Sequence, residues 1–272
     1  MNQDDHVTRF IDWILAGTDR PEKPFVMEFD GTLSLHFEPS IVQSQMNLET
    51  PDLLVLNYTQ AMMGFLLLQP APARMCQIGL GGGSLAKFCY RYLPGTDLDV
   101  VEINPDVIAL RDRFRVPKDD ARFRVVPGDG AEHVESMRDR YDTLLVDGFT
   151  EHGLPTALST RAFYQGCHDA LCTGGVLVVN LAAGDGMPAH LIDRIHRVFR
   201  GQIAVVQAED SWNVVVFAMK DRPIRQAWRQ LSRRADALAA RMPVDLHPVA
   251  ASLVSYFRSG ACRNDDLPAS SA

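Results

Sequence analysis

The sequence predicts an α/β fold, a mostly parallel sheet finishing in an antiparallel hairpin, with a small antiparallel β unit ahead of it. Three observations carry that expectation. From residue 74 onward, short apolar runs alternate with helical segments, the rhythm of strands joined by crossover helices. After residue 200, two apolar runs are separated by a loop too short to hold a helix, so that pair is antiparallel. Before residue 50, alternating segments flank Asp30-Gly31, a two-residue hairpin signal. The chain of 272 residues, 46% hydrophobic, can bury a full core without a disulfide or metal staple.

Each element follows in turn. Residues 1–24 are polar, with a short helical pattern around Phe10, Ile11, Trp13, Ile14 and Leu15. Residues 25–29 read as a strand, Leu33, Leu35 and Phe37 alternate on the next, and Ile41-Val42-Gln43 forms a third. Pro51-Asp52 opens a helix over residues 53–68, which Gln69-Pro70-Ala71-Pro72 ends. A buried strand at 74–78 leads into the glycine turn Gly79 to Ser84 and a helix over 85–93. Strand 98–103, a helix bearing Val107, Ile108 and Leu110, strand 122–126, the turn Gly128-Asp129-Gly130 with a short helix, and strand 141–146 follow. A helix over 161–171 stops at Gly174-Gly175 and leads to strand 176–180. The closing pair, 203–206 and 214–217, is the methyltransferase variant of the Rossmann architecture, since a dinucleotide-binding half continues with another helix and parallel strand. Residues 221–242 carry arginines at helical spacing, read as a solvated face, and the tail from Asp265 is frayed. The chain is expected to divide into residues 1–70, a β unit with its junction helix, residues 71–220, a Rossmann-like domain, and residues 221–272, a helical extension.

Composition narrows the function. A net charge of −7 leaves no basic footprint for nucleic acid. Five cysteines, none in Cys-x-x-Cys spacing, fit a reduced compartment rather than a disulfide framework. The acidic N-terminus lacks a signal sequence, and residues 53–68, interrupted by Asn57, Thr59 and Gln60, fall short of a membrane span. A soluble cytoplasmic protein without a membrane partner is expected. No phosphate-binding Gly-x-x-x-x-Gly-Lys, no Gly-x-Ser-x-Gly elbow and no metal-spaced histidines occur.

The chemistry gathers at the carboxyl ends of the strands, where open α/β sheets bind ligands. Gly79-x-Gly81-x-x-Ser84 lets backbone approach a ligand at a helix start. Glu102, twenty residues after Gly82 and ending the second strand of the repeat, can accept both hydroxyls of a ribose. Asp129 can accept from an exocyclic amine such as adenine N6 beside Gly130, or it can serve as a helix N-cap. Asp147 begins an acidic loop containing Glu151 and His152 where a substrate would meet a cofactor, though an ordinary surface loop would read the same way. Together these imply an adenosyl ligand.

Four stretches, Ile78-Gly79-Leu80-Gly81-Gly82-Gly83-Ser84-Leu85, Val101-Glu102-Ile103-Asn104-Pro105, Gly128-Asp129-Gly130 and residues 141–147, resemble the spermidine synthase (polyamine aminopropyltransferase) family. Val42-Gln43-Ser44, the helix bearing Tyr58, and Ala162-Phe163-Tyr164 resemble it too, so the likeness covers about residues 25–180. It implies that Gln43, Gly79, Gly81, Glu102, Asp129, Gly130 and Asp147 hold decarboxylated S-adenosylmethionine, or S-adenosylmethionine, as a cosubstrate with no tightly bound cofactor. It implies also that Asp147, Glu151 and Tyr58 serve transfer of an aminopropyl group to a small amine such as putrescine. Self-association as a homodimer is a further implication. The sequence departs from the family at the amine-handling acids. Gly82 stands where the glycine loop usually carries an aspartate, Thr150 replaces the loop's second aspartate, and the usual Tyr-His-Glu reads Tyr58-Thr59-Gln60. A methyltransferase on the same scaffold and a non-catalytic nucleoside-binding protein are the alternatives. A nicotinamide oxidoreductase is disfavoured by the terminal hairpin.

Overall fold

The computed structural model describes residues 23–38, 41–149, 153–182, 187–209 and 212–259. The expected N-terminal helix, the C-terminal tail, Cys262, Thr150, Glu151 and His152 lie outside the described residues.

Strands β1 (Phe25–Phe29), β2 (Thr32–Glu38) and β3 (Ile41–Asn47) form an antiparallel three-stranded sheet. Asp30 and Gly31 both take positive φ, 45° and 70°, which fits the twist of a two-residue hairpin. The ladder between β2 and β3 pairs Leu35 with Ser44 and then His36 with Val42, so Gln43 is the extra residue of a bulge. A bulge re-aims side chains, and this one sits at the edge of the cavity described below.

The second sheet has seven strands. They are β4 (Arg74–Ile78), β5 (Asp97–Glu102), β6 (Phe123–Pro127), β7 (Tyr141–Val146), β8 (Leu171–Ala182), β9 (Ile203–Gln207) and β10 (Asn213–Met219), in the order β6-β5-β4-β7-β8-β10-β9. β4 through β8 pair in parallel, while β10 pairs antiparallel with both β8 and β9. The expected sheet and its terminal hairpin are thus present. Helices α3 (Ser84–Tyr92), α4 (Pro105–Ala109), α5 (Gly130–Glu135), α6 (Arg161–Ala170) and α7 (Ala189–Val198) follow β4, β5, β6, β7 and β8, as parallel crossovers require.

Two expectations are corrected. The apolar stretch 53–68 is not one helix. A turn at Thr50–Leu53, held by Leu53 N–H donating to Thr50 O, delays the helix, which then comes as α1 (Asn57–Met62) and α2 (Phe65–Leu68) either side of Gly64. Asn47 Oδ1 seeds that turn by accepting from the Glu49 and Thr50 amides. Likewise β8 begins at Leu171 rather than 176, because Gly174 at φ +81° lets the chain kink and resume the same strand.

The last two helices, α8 (Leu231–Ala239) and α9 (His247–Arg258), pack over the β9–β10 side. Most of the arginine face is solvated, but Arg234 donates to the Leu67 and Leu68 carbonyls at the end of α2. Leu35 of the small sheet, Phe217 of the large one and Leu253 of α9 share one buried cluster. Four described cysteines are free, and among the described residues no helix is long and apolar enough to cross a membrane.

Gly64 lies where this packing is tightest. A Cβ there would stand 2.6 Å from Val249 Cγ1 and 2.9 Å from Phe217 Cζ. Gly64→Ala is expected to cost about 1–3 kcal/mol of stability from overpacking, since its backbone is already helical and no strain is relieved. Urea unfolding of the variant beside wild type measures this.

Candidate functional site

A cavity of about 360 Å³ opens at the carboxyl ends of β4, β5 and β7, roofed by β2 and β3. The glycine turn forms one wall. Gly79 has φ +91°, and a Cβ on it would lie 2.4 Å from the Asp147 carbonyl oxygen, so only glycine permits β4 and the end of β7 to pass so closely. Gly81, at φ +52°, faces Ser44. Ser44 Oγ and Ser84 Oγ lie 3.4 Å apart, and Ser84 Oγ donates to Gln45 O at 3.3 Å, which ties the small sheet to the start of α3.

Glu102 is buried and lines the cavity. Its Oε2 accepts from Leu80 N–H and its Oε1 from Asn104 N–H, both at 2.8 Å. The carboxylate is therefore fixed in orientation by two backbone donors, and each oxygen retains lone-pair capacity for a further donor.

Asp129 caps α5, its Oδ1 accepting from Ala131 N–H at 2.6 Å and Glu132 N–H at 3.4 Å. The cap and the cavity wall are one residue, because Asp129 also lines the cavity. Gly130 serves close packing. A Cβ on it would meet Ile78 Cγ2 at 2.4 Å, so a side chain here would push α5 off the sheet.

Asp147 takes the centre. Asn180 Nδ2 donates to its Oδ1 at 2.8 Å and Tyr58 Oη to its Oδ2 at 3.3 Å. Asn180 is held in turn by Asn213 Nδ2 donating to its Oδ1 at 2.9 Å. Desolvation raises the Asp147 carboxyl from 3.8 to about 6, against the lowering pull of the Asn180 and Tyr58 hydrogen bonds. Burial, reinforced by the adjacent carboxylate, holds the Tyr58 phenol well above its ordinary value, so it remains a donor.

Gln43, Tyr58, Gly79, Gly81, Glu102, Asp129, Gly130 and Asp147 all line this one cavity. Three contributors escape a reading by motif, namely Gln77, Asn180 and Asn213. The one sequence signal for Asn180 is that it is the first polar residue at the carboxyl end of an apolar strand. Every charged side chain among the described lining residues is a carboxylate. The described residues hold no group of three metal-ligating side chains.

Gly82 does not line the cavity. A Cβ there would come 2.7 Å from Ser44 Oγ and 2.8 Å from Phe114 Cδ1.

Residues 56–207 match the spermine/spermidine synthase domain family. The chain is 40% identical over 222 residues to a polyamine aminopropyltransferase of Neisseria meningitidis serogroup A, covering 81% of this chain and 84% of that protein. It is 41% identical over 213 residues to a polyamine aminopropyltransferase of Chromobacterium violaceum, covering 78% and 82%. Among solved structures, a spermidine synthase in complex with the transition-state analogue AdoDATO shares the fold with a TM-score of 0.66 at 17% identity, covering 88% of each chain. The chain belongs to the spermine/spermidine synthase family, and with it to the transferases.

The raised Asp147 carboxyl has a stability consequence. A carboxyl that binds its proton more tightly when folded loses stability as pH rises from about 4 to 6, and the deficit is constant above that. Asp147→Asn is therefore expected to gain on wild type across that window, by up to about 2–3 kcal/mol at pH 8. Thermal melts of both proteins at pH 4, 6 and 8 measure the gap, and a gap that does not grow with pH contradicts the raised value.

Proposed function

We propose that the chain transfers an aminopropyl group from decarboxylated S-adenosylmethionine to a small amine such as putrescine. The observation that carries this reading is the charge of the cavity: its described charged groups are Glu102, Asp129 and Asp147, with no cation to pair the carboxylate of ordinary S-adenosylmethionine. Such a lining suits a cationic cosubstrate and a cationic amine.

In this reading Glu102 takes the ribose hydroxyls and Asp129, through its oxygen that does not cap α5, takes an adenine amine. Gln43 closes the site from the bulge of β3. The sulfonium then lies towards Asp147. The amine nitrogen attacks the methylene beside sulfur, the new C–N bond forms as the C–S bond breaks, and the bonding pair stays on sulfur as the neutral thioether methylthioadenosine. The proton shed by nitrogen passes to Asp147, whose carboxylate Tyr58 and Asn180 hold in place. Holding amine and sulfonium in line supplies much of the acceleration. Glu151, outside the described residues, is a second candidate acceptor on the same loop.

The deciding experiment incubates the purified protein with decarboxylated S-adenosylmethionine and putrescine, and separately with S-adenosylmethionine. Methylthioadenosine and spermidine are expected. Adenosylhomocysteine would identify a methyltransferase, and binding without turnover a nucleoside-binding protein.

Asp147 must be ionised to accept a proton, so kcat/KM should rise with pH through a limb centred at about 6. Tyr58→Phe and Asn180→Leu each remove a hydrogen bond to the charged form, and each should move that limb to higher pH. A pH–rate profile in which neither variant moves the limb would remove Asp147 from the proton transfer. Glu102→Gln should weaken methylthioadenosine binding by about tenfold or more, as one acceptor becomes a donor facing a hydroxyl or a backbone N–H. Isothermal titration reads this directly, and unchanged affinity would refute the ribose assignment.

A further inference from the structure

Gln77 interrupts the apolar strand Arg74–Ile78 and is 1% exposed. Its Nε2 donates to Gly79 O at 2.7 Å, which fixes the orientation of the carboxamide, because a carbonyl needs a donor and an amide turned over would present oxygen to oxygen. That leaves Oε1 buried with no hydrogen-bond partner. Native interiors rarely keep a buried acceptor unpaired, and an apolar residue at this position would remove the cost. The residue also lines the cavity.

The strand register shows what surrounds it. Gln77 pairs with Val100 of β5 and with Leu145 of β7. Side chains two residues apart share a face, so Glu102, Gln77 and Asp147 lie on one face of three adjacent strands, with Asn180 and Asn213 continuing the row on β8 and β10. Gln77 is one step deeper than Glu102 and Asp147, beneath Gly79. A nucleoside anchored at Glu102 and reacting at Asp147 must pass its sulfonium substituents over this position.

We propose that Gln77 is a ligand-contacting specificity residue whose Oε1 accepts from the ammonium of the cosubstrate's aminopropyl group. The inference rests on the aminopropyl-transfer reading above and deepens it. Gly82 cannot supply that contact, having no side chain and lying outside the cavity lining. Gln77 meets the ammonium with a neutral acceptor instead, adding no fourth carboxylate beside Asp147.

The test compares three ligands on wild type and Gln77→Met. Decarboxylated S-adenosylmethionine is set against methylthioadenosine, which lacks both the aminopropyl group and the sulfonium charge, and against the S-methyl sulfonium of methylthioadenosine, which keeps the charge and lacks the aminopropyl group. Isothermal titration is expected to show a loss of about tenfold or more for the decarboxylated ligand and a change within about twofold for the other two. The unliganded variant should melt close to wild type, since the unpaired acceptor and the bond to Gly79 O are lost together. A loss shared by both sulfonium ligands would mean that Gln77 reads the sulfonium. Equal losses for all three ligands would mean that Gln77 only props Gly79, and unchanged affinities would mean that it touches none of them. Each of these results overturns the proposal while leaving the functional reading in place. Wild type binding none of the three overturns both. Independently of any substitution, the side-chain amide resonance of Gln77 in wild type should shift more with the decarboxylated ligand than with the S-methyl sulfonium, and equal shifts count against the contact.

Discussion

The cavity exists because β4 and β7 stop being partners at one point. Asp147 N–H donates to Ile78 O at 2.9 Å as the last bond of that ladder, and one residue later Gly79 turns away at φ +91°. From β4 the chain had built outward through β5 and β6; with β7 it returns to the other side of β4. Connections leaving neighbouring strands in opposite directions open a crevice between them, and ligands of open α/β sheets occupy it. The crevice is so narrow here that a Cβ on Gly79 would stand 2.4 Å from the Asp147 carbonyl oxygen. Any side chain at position 79 would force the strand ends apart and move both walls, so Glu102, reached through the Leu80 amide, and Asp147 are positioned by the same contact.

The three carboxylates of the cavity are held in two different ways, and this separates their chemistry. Glu102 and Asp129 accept from backbone amides that cannot leave, so each is an oriented acceptor. Asp147 accepts only from side chains, Asn180 and Tyr58, apart from the bond its own amide makes to β4. Side-chain donors compensate its burial incompletely, which is why its carboxyl rests near 6 rather than in the ordinary range. A group that changes protonation close to neutrality, flanked by acceptors fixed in the backbone, is suited to take up a proton released by a bound amine.

How far the sequence carried this picture depended on whether a residue's meaning was local. Gly79, Glu102 and Asp129 were legible because a turn, a strand end and a helix start are written in consecutive residues. Asp129 carried two readings, cap and ligand acceptor, and the geometry keeps both open on different oxygens of one carboxylate. Asn180, Asn213 and Gln77 were not legible, because their significance lies in the register of β8, β10 and β4 against β7, set by pairing between strands tens of residues apart. The helix over 53–68 failed for a similar reason. Its composition is mostly apolar, but Gly64 is dictated by Phe217 and Val249 pressing on it from distant elements.

The departure at Gly82 is tied into its surroundings. Phe114 presses on Gly82, and its carbonyl accepts from Lys87 Nζ at 2.8 Å. Lys87 is buried in α3, and burial lowers its ammonium to about 8, so it is a costly group to leave without that partner. Inserting an aspartate at position 82 would displace the Phe114 ring, disturb the Lys87 bond and place a new negative charge close to the glycine turn. Burial already raises the Asp147 carboxyl, and a further carboxylate facing it would raise it still higher through like-charge repulsion. Neutral amides at positions 77, 180 and 213 avoid this. Asn180 donates to Asp147 and Asn213 to Asn180, so these amides orient the carboxylate without adding charge, and Asp147 remains the titrating group among them.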